Sequence, residues 1–182
     1  MIAFEGTACV RGQRLLFEGF NLAIGAGEAV MAVGPNGCGK SSLLRLAAGL
    51  LRPAAGRVER TAAVALADDA LALDRERTLG EALGWWAGLD RGVAALDRFG
   101  VGHLADVPVR LLSTGQQRRA RLARVAASGT PLWLLDEPSN GLDAEGIIAL
   151  NAAIARHRAD GGAVLAASHI ALGGDWRTVA LG

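Results

Sequence analysis

The sequence predicts an α/β fold: a mainly parallel sheet flanked by helices, with an antiparallel β part at the N-terminus and a helical segment inserted midway. Three observations predict it. Apolar, strand-like runs alternate with helix-like segments, as in βαβ units. The run EAVMAV, Glu28 to Val33, opens straight into a glycine-rich turn and then a helix. The run LWLL after Pro131 is short, apolar and sharply bounded, as a buried strand is. The 182 residues read as one domain, with a core of about 1–72 and 128–182 and a helical sub-domain of about 73–127.

The elements follow in order. Ile2 to Cys9 and Leu15 to Leu22 read as strands, and Glu28 to Val33 as the strand that enters the turn. Lys40 to Leu50 reads as a helix, and Val58 to Leu66 contains a further strand. From Leu73 to Ala127 the pattern is helical and more charged, with turn signals at Gly100–Gly102 and Pro108. Ala144 to Arg158 is a helix with apolar Ile147, Ile148, Leu150 and Ile154, and Ala163 to Ala167 is a short buried strand. No repeat of 20–50 residues is present.

Composition narrows the function. With 51% hydrophobic residues and a net charge of +1, disorder is excluded and a general pull toward nucleic acid or anionic lipid is absent. Two cysteines, Cys9 and Cys38, make no disulfide framework and read as reduced thiols. The longest stretch without Asp, Glu, Lys or Arg is the 14 residues Gly161 to Gly174, short of a membrane span. MIAFEGTACVRG has Glu5 early and no basic start before an apolar run, so no secretory signal is expected. Of the 19 basic residues only Lys40 is a lysine.

Lys40 lies in the first motif that carries chemistry. GPNGCGKS, Gly34 to Ser41, matches G-x-x-x-x-G-K-[ST] between a strand and a helix. Its glycines let backbone N–H groups curl round phosphate oxygens, and the helix start adds a positive dipole end. Lys40 would reach the β- and γ-phosphates, and Ser41 would ligate Mg²⁺. Binding contacts are expected from Gly34, Pro35, Asn36, Gly37, Cys38, Gly39, Lys40, Ser41 and Ser42.

The second motif is PLWLLDEP, Pro131 to Pro138. Its apolar strand delivers Asp136 to the carboxyl edge of the sheet, where ligands sit in open α/β folds. Asp136 would hold Mg²⁺, and Glu137 would orient or deprotonate a water at the γ-phosphate. The third is LSTGQQRRARLAR, Leu112 to Arg124, where Ser113 and Gln116 form a capping-box pattern and Gly115 allows close backbone approach. Its arginines, Arg118, Arg119, Arg121 and Arg124, read as a solvated helix face.

These three motifs in this order resemble the ATP-binding cassette (ABC) ATPases, a class of P-loop NTPases. LSTGQQ resembles their LSGGQ signature, SNGLD (Ser139 to Asp143) their D-loop, and Ser168–His169 their switch histidine. A narrower resemblance, in LSTGQQRRARLAR, LWLLDEPSNGLD and LRLAAGLLRPAAGRV, is to the haem exporter protein A family, the ATPase of cytochrome c maturation. The resemblance implies a homodimer that closes on ATP and Mg²⁺. Ser113, Gly115 and Gln116 of one copy would touch the γ-phosphate held by the other, Asp143 would bridge the copies, and His169 would hold the γ-phosphate and the attacking water. Lys40, Glu137 and His169 would be catalytic. It also implies a multi-span permease and other cytochrome c maturation proteins as partners, at the cytoplasmic face of the inner membrane, with haem as cargo. An ATPase of another transporter, or a weakly hydrolysing nucleotide sensor, are the alternatives.

Two departures stand out. ABC ATPases usually carry a Gln between the phosphate loop and the signature, and VALADDALALDRERTLGEAL (Val64 to Leu83) has none; counting back from TLGEAL places Asp68 or Asp69 at its position. Arg11 falls where an aromatic would stack on adenine; it either stacks as a guanidinium or is a solvated turn residue. Trp85–Trp86 either plugs into a membrane partner or is half core and half surface.

Overall fold

The computed structural model describes residues 1–87 and 89–181. Its strands form two sheets. β1 (Ile2–Arg11), β2 (Arg14–Ile24) and β4 (Ala55–Arg60) make an antiparallel sheet in the order β2-β1-β4. β3 (Ala29–Val33), β5 (Val64–Ala67), β6 (Leu132–Asp136), β7 (Ala163–Ala167) and β8 (Arg177–Ala180) make a wholly parallel one in the order β5-β6-β7-β3-β8. The single strand expected within Val58 to Leu66 is therefore the junction of the two sheets. β8, a short edge strand, was not expected from the sequence.

Alternation along the central strands divides the core. Val30, Ala32, Leu132, Leu134, Leu165 and Ala167 face α1 (Lys40–Ala48) and the antiparallel sheet. Ala29, Met31, Trp133, Leu135, Val164 and Ala166 face the other way, toward α4 (Thr114–Ala127) and α5 (Ala144–Ala159). Both faces of the sheet are thus covered, which is why its strands read as unbroken apolar runs. α1 ends at Ala48, short of the expected Leu50, because Gly49 turns left-handed (φ 76°) and its N–H returns to Leu46.

The stretch read as helical, about 73–127, holds α2 (Leu79–Ala87), α3 (Leu89–Arg98) and α4, with single 3₁₀ turns at Gly102–Leu104 and Val109–Leu111. Gly100 and Pro108 fall at the breaks, as expected. The arginine face of α4 is not solvated. Arg121 and Arg124 are buried and Arg118 and Arg119 half-buried, because α4 packs between the other helices and the sheet. No helix among the described residues is long and apolar enough to cross a membrane.

Candidate nucleotide site

Three strand ends converge at the carboxyl edge of the parallel sheet. β3 leads into the loop Gly34 to Gly39, β6 into Asp136 and Glu137, and β7 into Ser168 and His169. Between them lies a cavity of about 550 Å³. Asn36, Gly37, Gly39, Lys40, Ser41, Ser42, Asp136, Glu137 and His169 line it, as does Arg11. Leu16 and Asn140 line it as well, and the sequence had not pointed to either. Asn140 sits inside SNGLD, so its signal was present but unread.

The loop wraps the lysine. Lys40 is 7% exposed, and its Nζ donates to the carbonyls of Gly34 at 2.8 Å and Pro35 at 3.1 Å. Gly34, Pro35 and Cys38 do not line the cavity; Cys38 is buried and its N–H donates to Pro35. Gly39 is required by its φ of 113° and by its neighbours, since a Cβ there would sit 3.0 Å from the Phe17 ring. Having no side chain, Gly39 also cannot cap α1, and no acid occupies the first turn. The first N–H groups of α1 are thus left to an anion.

Asp136 is half-buried, and both it and Ser41 line the cavity. Burial pushes its carboxyl up; the Ser41 hydroxyl pulls it back, and the charges of Asp69 and Glu137 push it up again. A hydroxyl and a carboxylate are the oxygen donors a hard divalent cation takes, and such a cation would relieve this crowding of negative charge. Among the described residues no three His, Cys, Asp or Glu side chains are grouped to hold a metal unaided.

Glu137 has φ 45°, an uncommon conformation for a residue with a side chain. Its N–H donates to Ala167 at 2.8 Å, and its carbonyl accepts from Asn140 at 3.1 Å. Its carboxylate meets His169 twice, 3.1 Å from Nε2 and 3.3 Å from the backbone N–H. The strain is held by Ala167 of β7 on one side and by the turn at Asn140 on the other, and the carboxylate lines the cavity.

Ser113, Gly115 and Gln116 do not line this cavity. They start α4, where Gln116 N–H donates to Ser113 Oγ at 3.3 Å and Ser113 N–H donates to Gln116 Oε1 at 2.8 Å. Both side chains act as acceptors in this box, so the Ser113 hydroxyl proton and the Gln116 amide hydrogens are left as donors. Asp143 caps α5, accepting from Gly146 N–H at 2.9 Å, and pairs with Arg119. The Gly146 N–H and the Arg119 guanidinium hold its carboxyl below the usual range. Trp85 and Trp86, 74% and 45% exposed, meet edge-to-face at 5.0 Å, and the Trp86 ring also lies against the buried Arg124 guanidinium.

Comparison with known proteins agrees with this geometry. The ABC transporter family model matches residues 17–140. The cytochrome c biogenesis ATP-binding export protein of Sphingopyxis alaskensis is 58% identical over 94% of this chain and 91% of its own. That of Novosphingobium aromaticivorans is 57% identical over 89% and 85%. An ATP-binding subunit of an ABC transporter superposes with a TM-score of 0.85 at 23% identity, over 93% of this chain and 79% of that one. The chain belongs to the ABC transporter ATP-binding proteins and, within them, to the cytochrome c biogenesis ATP-binding export proteins.

Proposed function

We propose that the chain hydrolyses ATP to drive a membrane export complex of cytochrome c biogenesis, with haem as the cargo. One observation carries this reading: a buried lysine, an uncapped helix start, the Ser41–Asp136 pair and the Glu137–His169 pair surround one cavity. The α1 N–H groups and Lys40 bind the phosphates, and Arg11 lies over the base. Ser41 and Asp136 hold Mg²⁺, which when bound neutralises charge on the phosphate oxygens. Glu137 orients a water and takes its proton as the water oxygen bonds to the γ-phosphorus and the bond to the ADP oxygen breaks. His169 fixes the Glu137 carboxylate. The products are ADP and phosphate, and the protein's part is positioning and charge balance.

A second copy supplies the Ser113, Gly115 and Gln116 donors to the γ-phosphate, and Asp143 lies at the join. The Trp85–Trp86 pair faces a multi-span permease, which keeps the chain peripheral at the cytoplasmic face of the inner membrane beside other maturation proteins. A sensor that barely hydrolyses would not need the Glu137–His169 pair.

The test is Mg²⁺-dependent phosphate release, expected to be abolished in Lys40→Ala and Glu137→Gln; undiminished turnover in both would refute the ATPase reading. Glu137→Gln, tagged and solubilised from membranes with ATP, should carry a permease and cytochrome c maturation proteins. An unrelated permease would refute the haem assignment alone.

A further inference from the structure

Two arginines of α4 lie under the turn that follows β5. Arg121 and Arg124 are 7% and 6% exposed, and side chains of this kind are almost never so buried unless held. Arg124 donates to the Leu66 carbonyl and Arg121 to the Asp68 carbonyl. The guanidinium of Arg124 also lies 5.2 Å from the Trp86 ring. The Nε of each arginine has no hydrogen-bond partner, and among the described residues Arg121 has neither an aromatic ring over its guanidinium nor a carboxylate within ion-pair distance.

What surrounds Arg121 is carboxylate at slightly longer range. Asp69, Asp68 and Asp136 support its charge against burial, while the half-buried Arg118, which lines the same cavity as Asp69 and Arg121, opposes it. Asp69 and Arg121 line one cavity of about 240 Å³ with Glu137 and Asn140, and the latter two also line the nucleotide cavity. Asp69 therefore stands at the reacting end of the site, beside Asp136 and Glu137. A triphosphate arriving there meets three carboxylates, and Arg121 is the buried cation behind them.

We propose that Arg121 is a positioning residue of the ATPase site: it holds the Asp68–Asp69 turn through the Asp68 carbonyl and balances the Asp69 carboxylate. The two act as a nearly neutral pair joining the signature helix to the γ-phosphate end. This lets an acidic turn stand where the family resemblance expects a Gln. The inference rests on the nucleotide reading of the site.

The experiment is a double-mutant cycle on the full chain, read by titration with a fluorescent ATP analogue plus Mg²⁺, with Tm alongside. Arg121→Met should raise the Kd about tenfold, since it unmasks the Asp69 charge, a coupling of the usual size between neighbouring sites. Adding Asp69→Asn should bring it back to within about threefold of the parent, and Arg121→Lys, which keeps the cation, should stay within the same range. Asp69→Asn alone should bind more tightly. An unchanged Kd in Arg121→Met overturns the proposal. So does a loss that Asp69→Asn leaves in place, because a merely structural arginine gives additive losses that track Tm. If Arg121→Met does not fold, Asp69→Asn decides: tighter binding supports the pair, and equal or weaker binding overturns it. Lys40→Ala is the control; should it bind as the parent does, the site reading falls and the inference with it.

Discussion

Replacing Glu137 by Gln separates chemistry from folding. Both side chains bear the same left-handed backbone cost at φ 45°, so that cost cancels. Gln still accepts from the His169 N–H, now 3.3 Å from the carboxylate, and gives up only the carboxylate charge at the 3.1 Å contact with Nε2. With side chains 22% and 47% exposed, such a pair contributes at most about 1 kcal/mol. For a chain of this size that is a Tm change of about 2–4 °C. Removing a general base costs about 10²–10⁴ in rate, or about 3–5 kcal/mol of barrier. The kinetic loss should therefore exceed the stability loss severalfold in free energy. Phosphate release at saturating ATP and Mg²⁺, beside scanning calorimetry, measures both. Turnover within tenfold of the parent would refute the assignment of Glu137 as base. A loss of activity accompanied by a Tm drop of more than about 6 °C would show that folding had failed instead.

Other substitutions test the frame of the site. Gly39→Ala forces a Cβ to 3.0 Å from Phe17 at φ 113° and should cost about 2 kcal/mol while weakening ATP binding; calorimetry and a nucleotide titration read it, and a silent substitution would contradict the packing argument. Asp143→Ala removes the α5 cap and the Arg119 partner, so it should melt below Asp143→Asn, which keeps the cap acceptor; equal melting would deny the cap any role. His157 stacks on Trp133 at 3.9 Å, and burial pushes its pKa below 6.5, with its carbonyl contacts pulling the other way. The unfolded chain is then protonated first as pH falls. Stability is complete above about pH 6.5 and declines below it, by at most about 1.4 kcal/mol per pH unit, until the folded pKa is reached. Melting at pH 7.5 and 5.5 should show a drop that His157→Gln reduces; identical slopes would refute it.

The sequence was legible wherever one pattern had one structural use. EAVMAV followed by a glycine-rich turn and a helix reads as a strand feeding a tight loop, and LWLLDE as a buried strand ending in acids, and the structure forms both. β8 was illegible because RTVA is four residues, three of them exposed, and its pairing with Val30 to Val33 is a long-range event. The junction of the two sheets was blurred because only Thr61 to Ala63 separate β4 from β5. The arginines of α4 misled for a different reason. A charged residue in a helix reports its own charge but not what packs on it, and here a carbonyl of β5 and one just after it take Arg124 and Arg121 inward. Asp69 could be placed near the site by counting, but its relation to Arg121 needed three dimensions.

The helices α1, α4 and α5 differ in what their N-termini can still bind, and this bears on how much of a site one chain holds. α1 begins at Gly39 with no capping side chain, so its N–H groups can take the full anion. α5 is capped by Asp143, whose carboxylate repels an anion and already accepts from Gly146. α4 is intermediate, because its box satisfies the helix through acceptors and leaves the Ser113 hydroxyl and the Gln116 amide as donors. Those donors lie outside the cavity that Lys40 and Glu137 share. In the dimer proposed above they would meet a phosphate held on α1 of the other copy, so a chain alone should bind ATP yet lack part of its γ-phosphate shell. Ser113→Ala should then leave ATP affinity of the dilute chain unchanged and weaken ATP-driven dimerisation, read by sedimentation of the Glu137→Gln form. Dimerisation as strong as the parent's would mean that the α4 start takes no part in closure.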